Sequence, residues 1–278
     1  MLGGSMRVGR ARARLGAAAA AAAVLVTGCG GGSGGEPERP EKRERRAESS
    51  PAAAEESAGT PDVAGADTEL SPPTGAAAAR RLIGEVIAVP EDFGPGVGRG
   101  DPYERDPDTW PVLNDQCIWQ QQKYPDTVLA TLTRRFEVPA ADGKGPIQLS
   151  AIVTVHRDEH SARWEMATAL EEGMRCPTQR LSATETLTDL LSSAFSPQDY
   201  TRGVAYESLG EHATYVNEAT GGQGYPYEWQ QKRLESVTFT VTGRVAGKGR
   251  TDEEMSGLMV QAMAQMSLRL EAGLEGGK

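Results

Sequence analysis

The nine residues Ile147-Gln148-Leu149-Ser150-Ala151-Ile152-Val153-Thr154-Val155 alternate at a period of two, with Ile147, Leu149, Ala151, Val153 and Val155 on one face. That is the spacing of a strand with a single apolar side. Val237, Phe239 and Val241 repeat it within residues 236–242, and residues 128–138 and 213–216 are further strand candidates. Strands that are apolar on one face belong in an antiparallel sheet covered on that face.

Helices supply the cover. Thr251 and Glu254 have the spacing of a capping box ahead of Leu258, Met259, Ala262, Met263, Met266 and Leu270, which recur at helical intervals. Ser161 is the expected cap of a second helix that aligns Ala162, Met166, Ala169, Leu170 and Met174, and a third helix runs over residues 76–87 and ends near Pro90. A methionine stripe can form an adaptable binding groove, but at this spacing it reads first as core. About 200 residues suit one hydrophobic core better than two. The expectation is a single α+β domain over residues 76–275, an antiparallel sheet with helices packed on one face.

Upstream, Arg7, Arg10, Arg12 and Arg14 precede an Ala-rich apolar run, residues 15–26, that ends in Val26-Thr27-Gly28-Cys29. The run falls short of the about 20 apolar residues a spanning helix needs, so residues 1–28 read as a signal peptide. The ending resembles a bacterial lipobox. That implies cleavage before Cys29, diacylglycerol on its thiol and a palmitate-type chain on the new amino group. Each buried acyl methylene contributes about 0.8 kcal/mol, so two or three chains anchor a domain without a spanning helix. Residues 29–75 are Gly/Ser-rich, then charged with balanced signs, then Ala/Pro-rich, and no apolar residue recurs at strand or helix spacing. This composition reads as a disordered tether with a reach on the order of 35–40 Å. The domain would then sit on the extracytoplasmic face of the cell membrane.

The formal net charge of −10 becomes −14 once the four arginines ahead of Cys29 are removed. A body so acidic is repelled by nucleic acid and by anionic lipid surfaces, so no nucleic-acid partner is expected. The partners left are the membrane through the lipid, a cell-wall glycan, a small ligand or a membrane protein.

With Cys29 lipidated, Cys117 and Cys176 remain, and outside the cytoplasm two thiols in one domain pair. Closing a loop of about 60 residues stabilises by roughly 4 kcal/mol in the chain-entropy model. The bridge would pin the end of the Ser161 helix to Cys117-Ile118-Trp119, with Trp119 and Trp164 packed nearby. A redox-active pair would need Cys-x-x-Cys spacing, which is absent.

Histidines are few: His156, His160 and His212. The run His156-Arg157-Asp158-Glu159-His160 has the H-x-x-E-H order of inverted zinc peptidases, whose two histidines must lie one turn apart on a single helix. Here His156 continues the alternating strand and Ser161 starts the next helix. The run therefore reads as a strand-to-helix turn, with a metal set of His156, Glu159 and His160 as the lesser reading. No Gly-x-Ser-x-Gly elbow, Ser-x-x-Lys, phosphate loop or dinucleotide fingerprint occurs. Neither catalysis nor a cofactor is expected, and a cell-wall hydrolase or metal-dependent peptidase is the alternative.

Gly221-Gly222-Gln223-Gly224-Tyr225-Pro226-Tyr227-Glu228-Trp229 is the main binding candidate. If the segment is extended, Tyr225, Tyr227 and Trp229 share a face and can stack on a sugar or a partner, with Glu228 beside them. The plainer reading makes them a strand face that covers the core. Residues 90–111, rich in Pro, Gly and Asp, are a second candidate as a functional loop.

The tethered layout, the Cys117-Ile118-Trp119 element, the strand ending near Val155, the helix around Trp164 leading to Cys176, and the last strand with its capped helix together resemble the PknH-like extracytoplasmic sensor-domain lipoproteins of actinobacteria. The resemblance implies an α+β domain with a ligand cleft and a sensing role, and carries no catalytic residues. This chain departs from the kinase-linked domains in having cysteines for one bridge only.

Overall fold

The computed structural model describes residues 70–195 and 206–276. The expected signal peptide, Cys29 and the tether up to residue 69 lie outside them. In chain order the elements are α1 (Ala76–Val86), α2 (Pro90–Phe93), β1 (Gly98–Glu104), β2 (Thr109–Leu113), β3 (Trp119–Lys123), β4 (Val128–Val138), β5 (Ile147–His156), α3 (Glu159–Arg175), β6 (Gln179–Arg180), β7 (Glu185–Phe195), β8 (Glu207–Asn217), β9 (Gly224–Leu234), β10 (Val237–Val245) and α4 (Asp252–Glu275). None of the described helices is long and apolar enough to cross a membrane.

Eight strands form one sheet in the order β1-β4-β5-β10-β9-β8-β7-β6, antiparallel at each junction, and β2 pairs with β3 as a separate hairpin. This is the α+β antiparallel architecture expected from residues 147–155. Two segments are richer than expected. Residues 213–216 are the end of the eleven-residue β8. Residues 90–111 are no open loop, because they hold α2, β1 and the start of β2.

On one face, Ile147, Leu149, Ala151, Val153 and Val155 of β5 and Val237, Phe239 and Val241 of β10 are buried in a single core with Met255, Met259, Met263, Met266 and Leu270 of α4. The methionine stripe is therefore packing. Gly243 makes the seat possible, since a Cβ there would lie 2.6 Å from Met259 Sδ. Both halves of the capping box are made, Glu254 N donating to Thr251 Oγ1 and Thr251 N to Glu254 Oε2, each at 3.2 Å. Helix α1 lies against α4 through Leu82, Ile83 and Val86. The freed carbonyls at its C-terminal end accept from Arg269, which also pairs with Asp92 of α2 at 2.6 Å. Upstream of α1, Leu70 packs on the same core and Ser71 N donates to Leu274 O at 3.0 Å.

The expected single layer of helices is incomplete as a description, because α3 crosses the opposite face. That face of the sheet is polar yet buried beneath the helix, with Thr131, Thr154, His156, Thr238 and Gln231 inside. Glu165 of α3 reaches down as a pin. Its Oε2 accepts from Thr238 Oγ1 at 2.7 Å and lies 2.6 Å from His156 Nε2, and its Oε1 accepts from Gln231 Nε2 at 2.9 Å. Thus one carboxylate ties the helix to β5, β9 and β10 by charge-assisted bonds, which replace the apolar contacts used on the other face. Gly173 lets the far end of α3 close in, since a Cβ there would meet Ser192 Oγ at 2.0 Å and Glu211 Oε1 at 2.6 Å.

Three details of α3 correct the sequence reading. The helix starts three residues earlier than expected, with Asp158 as the cap, its Oδ1 accepting from Ser161 N at 2.7 Å. An Asp cap with a Ser three residues on mimics a Ser cap in sequence, because both residue types favour helix starts. Met174 lies outside the buried stripe, where Gly173 takes the inward position instead. Trp164, expected beside the bridge, is 68% exposed, since Ala162 and Met166 define the inner side and residue 164 falls between them on the outer one.

Candidate functional site

The same alternation that builds the core on one face of the sheet arrays Thr133, Arg135 and Glu137 of β4, Gln148, Ser150 and Ile152 of β5, Thr242 and Arg244 of β10, and Tyr227 and Trp229 of β9 on the other. Beyond α3 these side chains form the floor of a cleft of ≈ 590 Å³. The β2–β3 hairpin, through Pro111, Trp119 and Gln121, makes one wall, and Asp101, Arg105 and the turn at Leu181 and Ser182 complete it. A cavity of this size suits a small molecule or a short glycan segment.

The bridge expected between Cys117 and Cys176 is present, with Cα atoms 5.6 Å apart. It fastens the hairpin turn to the end of α3. Arg180 N also donates to Cys117 O at 2.8 Å, and Trp119 Nε1 donates to the buried Gln179 Oε1 at 2.8 Å. The indole that faces the cleft is therefore held from behind by a fixed amide.

Electrostatically the cleft differs from the rest of this acidic chain. Arg244 donates to Gln148 Oε1 at 2.7 Å, pairs with Glu185 at 3.1 Å and stacks 4.8 Å from the Tyr215 ring centre. Burial raises Glu185, but the hydrogen bond from the Tyr215 hydroxyl and the charge of Arg244 outweigh it and hold the carboxyl below its ordinary value. Arg135 gives one N–H to Asp101 O at 3.1 Å. Arg105 also lines the cleft and is exposed. Partial desolvation, then the like charges of Arg135 and Arg244, push its guanidinium below its ordinary value.

The binding candidates from sequence divide between the two faces. Tyr227, 9% exposed, and Trp229 line the cleft. Burial, then the nearby Glu211 carboxylate, raises the Tyr227 hydroxyl. Tyr225 shares their face but packs against both the main core and a second apolar cluster of Leu187, Leu190, Tyr215 and Tyr227, so it belongs to the structural reading of that strand. Glu228 was expected beside the rings and is not. As the intervening residue of a strand it projects to the opposite face, where it is buried and accepts from Ser256 Oγ at the start of α4 and from Gln230 Nε2.

The H-x-x-E-H residues are dispersed. His156 is buried at the end of β5 against Glu165, Glu159 pairs with Arg163 at 2.6 Å and Arg233 at 3.2 Å, and His160 is exposed on the first turn of α3. Among the described residues no group of three His, Cys, Asp or Glu side chains is placed to hold a metal ion. Sequence reasoning passed over Arg135, Arg244 and Glu165, and reached Arg105 only as part of residues 90–111. The signal that could have found two of them is the polar series Thr238, Thr240, Thr242, Arg244 interleaved with Val237, Phe239, Val241, and the matching Thr131, Thr133, Arg135 on β4.

No protein-family model matches this chain, and no curated protein matches it. Among solved structures it is similar to the extracellular domain of PknH from Mycobacterium tuberculosis, at 10% identity over 68% of this chain and 96% of that one, with a TM-score of 0.40. It is also similar to an uncharacterised Rv0999 ortholog from Mycobacterium smegmatis, at 12% identity over 77% of this chain and 100% of that one, with a TM-score of 0.34.

Proposed function

We propose that this chain is a ligand-binding or sensing module of the cell envelope, held on the extracytoplasmic face by a lipid on Cys29, and that the cleft between the sheet and the β2–β3 hairpin is its ligand site. One observation carries the reading. Two indoles, Trp119 and Trp229, and the Tyr227 ring border a cleft that also holds oriented polar groups, with Arg244 tied to Gln148 and Glu185 inside it and the Trp119 indole tied to Gln179 behind it. Aromatic faces with a few oriented polar groups are what a site for a sugar or another ring-bearing ligand requires. The Val26-Thr27-Gly28-Cys29 ending and the Cys117–Cys176 bridge support the compartment.

Native mass spectrometry of the chain extracted from membranes tests both halves at once. The expected spectrum shows a lipid mass on Cys29 and a noncovalent adduct that Trp229→Ala loses while the melting curve stays in place. An unmodified Cys29 would overturn the anchor. An adduct indifferent to Trp229→Ala would overturn the site, and turnover of added peptidoglycan would transfer the cleft to a hydrolase.

A further inference from the structure

We infer that the ligand of this cleft is a small ring-bearing oxyanion, a carboxylate or phosphate, received by the guanidinium groups of Arg105 and Arg135. The inference rests on the cleft being the ligand site and adds what it selects. The chain carries a net charge of −10, yet three arginines converge here. Arg244 has its charge answered by Glu185 at 3.1 Å. Arg105 and Arg135 have no ion pair among the described residues, although Asp101 and Glu137 also line the cleft and the charge of Arg135 is felt at Glu185.

A guanidinium has five N–H donors, and Arg135 commits one of them to Asp101 O. Arg105 commits no side-chain donor to any described residue, and the charges acting on it are those of the other two arginines. Like charges gathered in a partly desolvated site repel one another, and an oxyanion between them removes that repulsion through paired N–H···O bonds. Trp119 and Trp229 border the same space and give a flat ring a surface to stack on. The acidity of the chain as a whole works against a polyanion, and the cleft, at ≈ 590 Å³, holds a small molecule.

The test uses the full-length chain in detergent at fixed ionic strength, titrated with phenyl phosphate, benzoate and benzamide while tryptophan fluorescence is followed. Both anions are expected to bind saturably and at least tenfold more tightly than benzamide, their neutral counterpart. Whichever anion binds more tightly identifies the oxyanion. Arg105→Gln with Arg135→Gln should erase the preference at an unchanged melting temperature, and Trp229→Ala should weaken all three probes. If benzamide binds as tightly as the anions and Trp229→Ala weakens it, the cleft remains a ligand site and the oxyanion inference falls. If none of the three probes changes the fluorescence, the inference and the reading of the cleft fall together.

Discussion

On β10, Val237, Phe239 and Val241 look toward α4, while Thr238, Thr240 and Thr242 between them look toward α3 and the cleft. One strand therefore serves two environments. Under α4 the layer is built of Phe, Val, Leu and Met, and the force holding it is non-directional and scales with buried area. Under α3 the layer is built of hydroxyls, an amide, an imidazole and carboxylates, where each buried polar atom needs a partner at the right angle. Two side-chain atoms on that face, His156 Nδ1 and Gln231 Oε1, have none among the described residues. The contrast teaches a division of labour, in which one face supplies most of the stability and the other spends part of it on fixed polar groups.

The comparison breaks most easily at the apolar face. Phe239 is fully buried with its ring edge-on to Tyr206 at 6.0 Å, and Phe239→Ala should cost about 3–5 kcal/mol in urea unfolding. A cost under 1 kcal/mol would mean that this face is not the main store of stability. Next in size is the Cys117–Cys176 bridge, whose removal as Cys117→Ala with Cys176→Ala should cost about 2–4 kcal/mol. The loss should be accompanied by a change in Trp119 fluorescence, since that indole sits two residues from the bridge; an unaltered emission spectrum would separate the hairpin from it.

The smallest effect, and the one that sharpens the contrast, is in pH. Burial pushes Glu211 up to about 7, against the opposing bond from Ser192 Oγ, and Glu172 on α3 is pushed up to about 7 by burial despite Arg175. Glu171, Glu211 and Glu165 add to the rise at Glu172. A carboxyl raised in the folded state favours the protonated form. Its contribution is complete below the unfolded value near 4.5, declines as pH rises, and is gone above about 7. Stability should therefore fall by on the order of 2–3 kcal/mol between those limits at Glu211, which is 7% exposed. Glu211→Gln should remove the share of that slope that Glu211 contributes and leave the share of Glu172, and Phe239→Ala should lower the whole curve with its slope intact. A slope unchanged by Glu211→Gln would place the titration elsewhere.

What the sequence disclosed follows the same division. Strands β5 and β10 and helix α4 were legible because one side of each is apolar and the period is unbroken, and β4 was legible despite the register shift between Val128 and Ala130 because its first residues are apolar on both sides. Strand β9 was read only in part, since Glu228, Gln230 and Lys232 on one side and Gln231 and Arg233 on the other leave no apolar face beyond Trp229, and its register comes from β8 and β10. Strand β7 escaped because Asp189, at φ 55°, shifts the register between Thr188 and Leu191 and breaks the alternation. The cleft was legible through Tyr227 and Trp229 and through residues 90–111, which bring Gly100, Asp101, Arg105 and Pro111 to it. Arg135 and Arg244 look like solvated strand ends in sequence, and it is the hairpin folding over them, a long-range event, that gathers them with Arg105.

Gly173 has a consequence for the acid beneath it. With no methyl on that residue, the helix backbone comes close enough to take the place that water would hold around Glu211. The electrical environment of a side chain on β8 is thus set by a hydrogen atom on α3. Any larger residue at 173 would act as a wedge, letting solvent back to the carboxyl and returning it toward an ordinary acid.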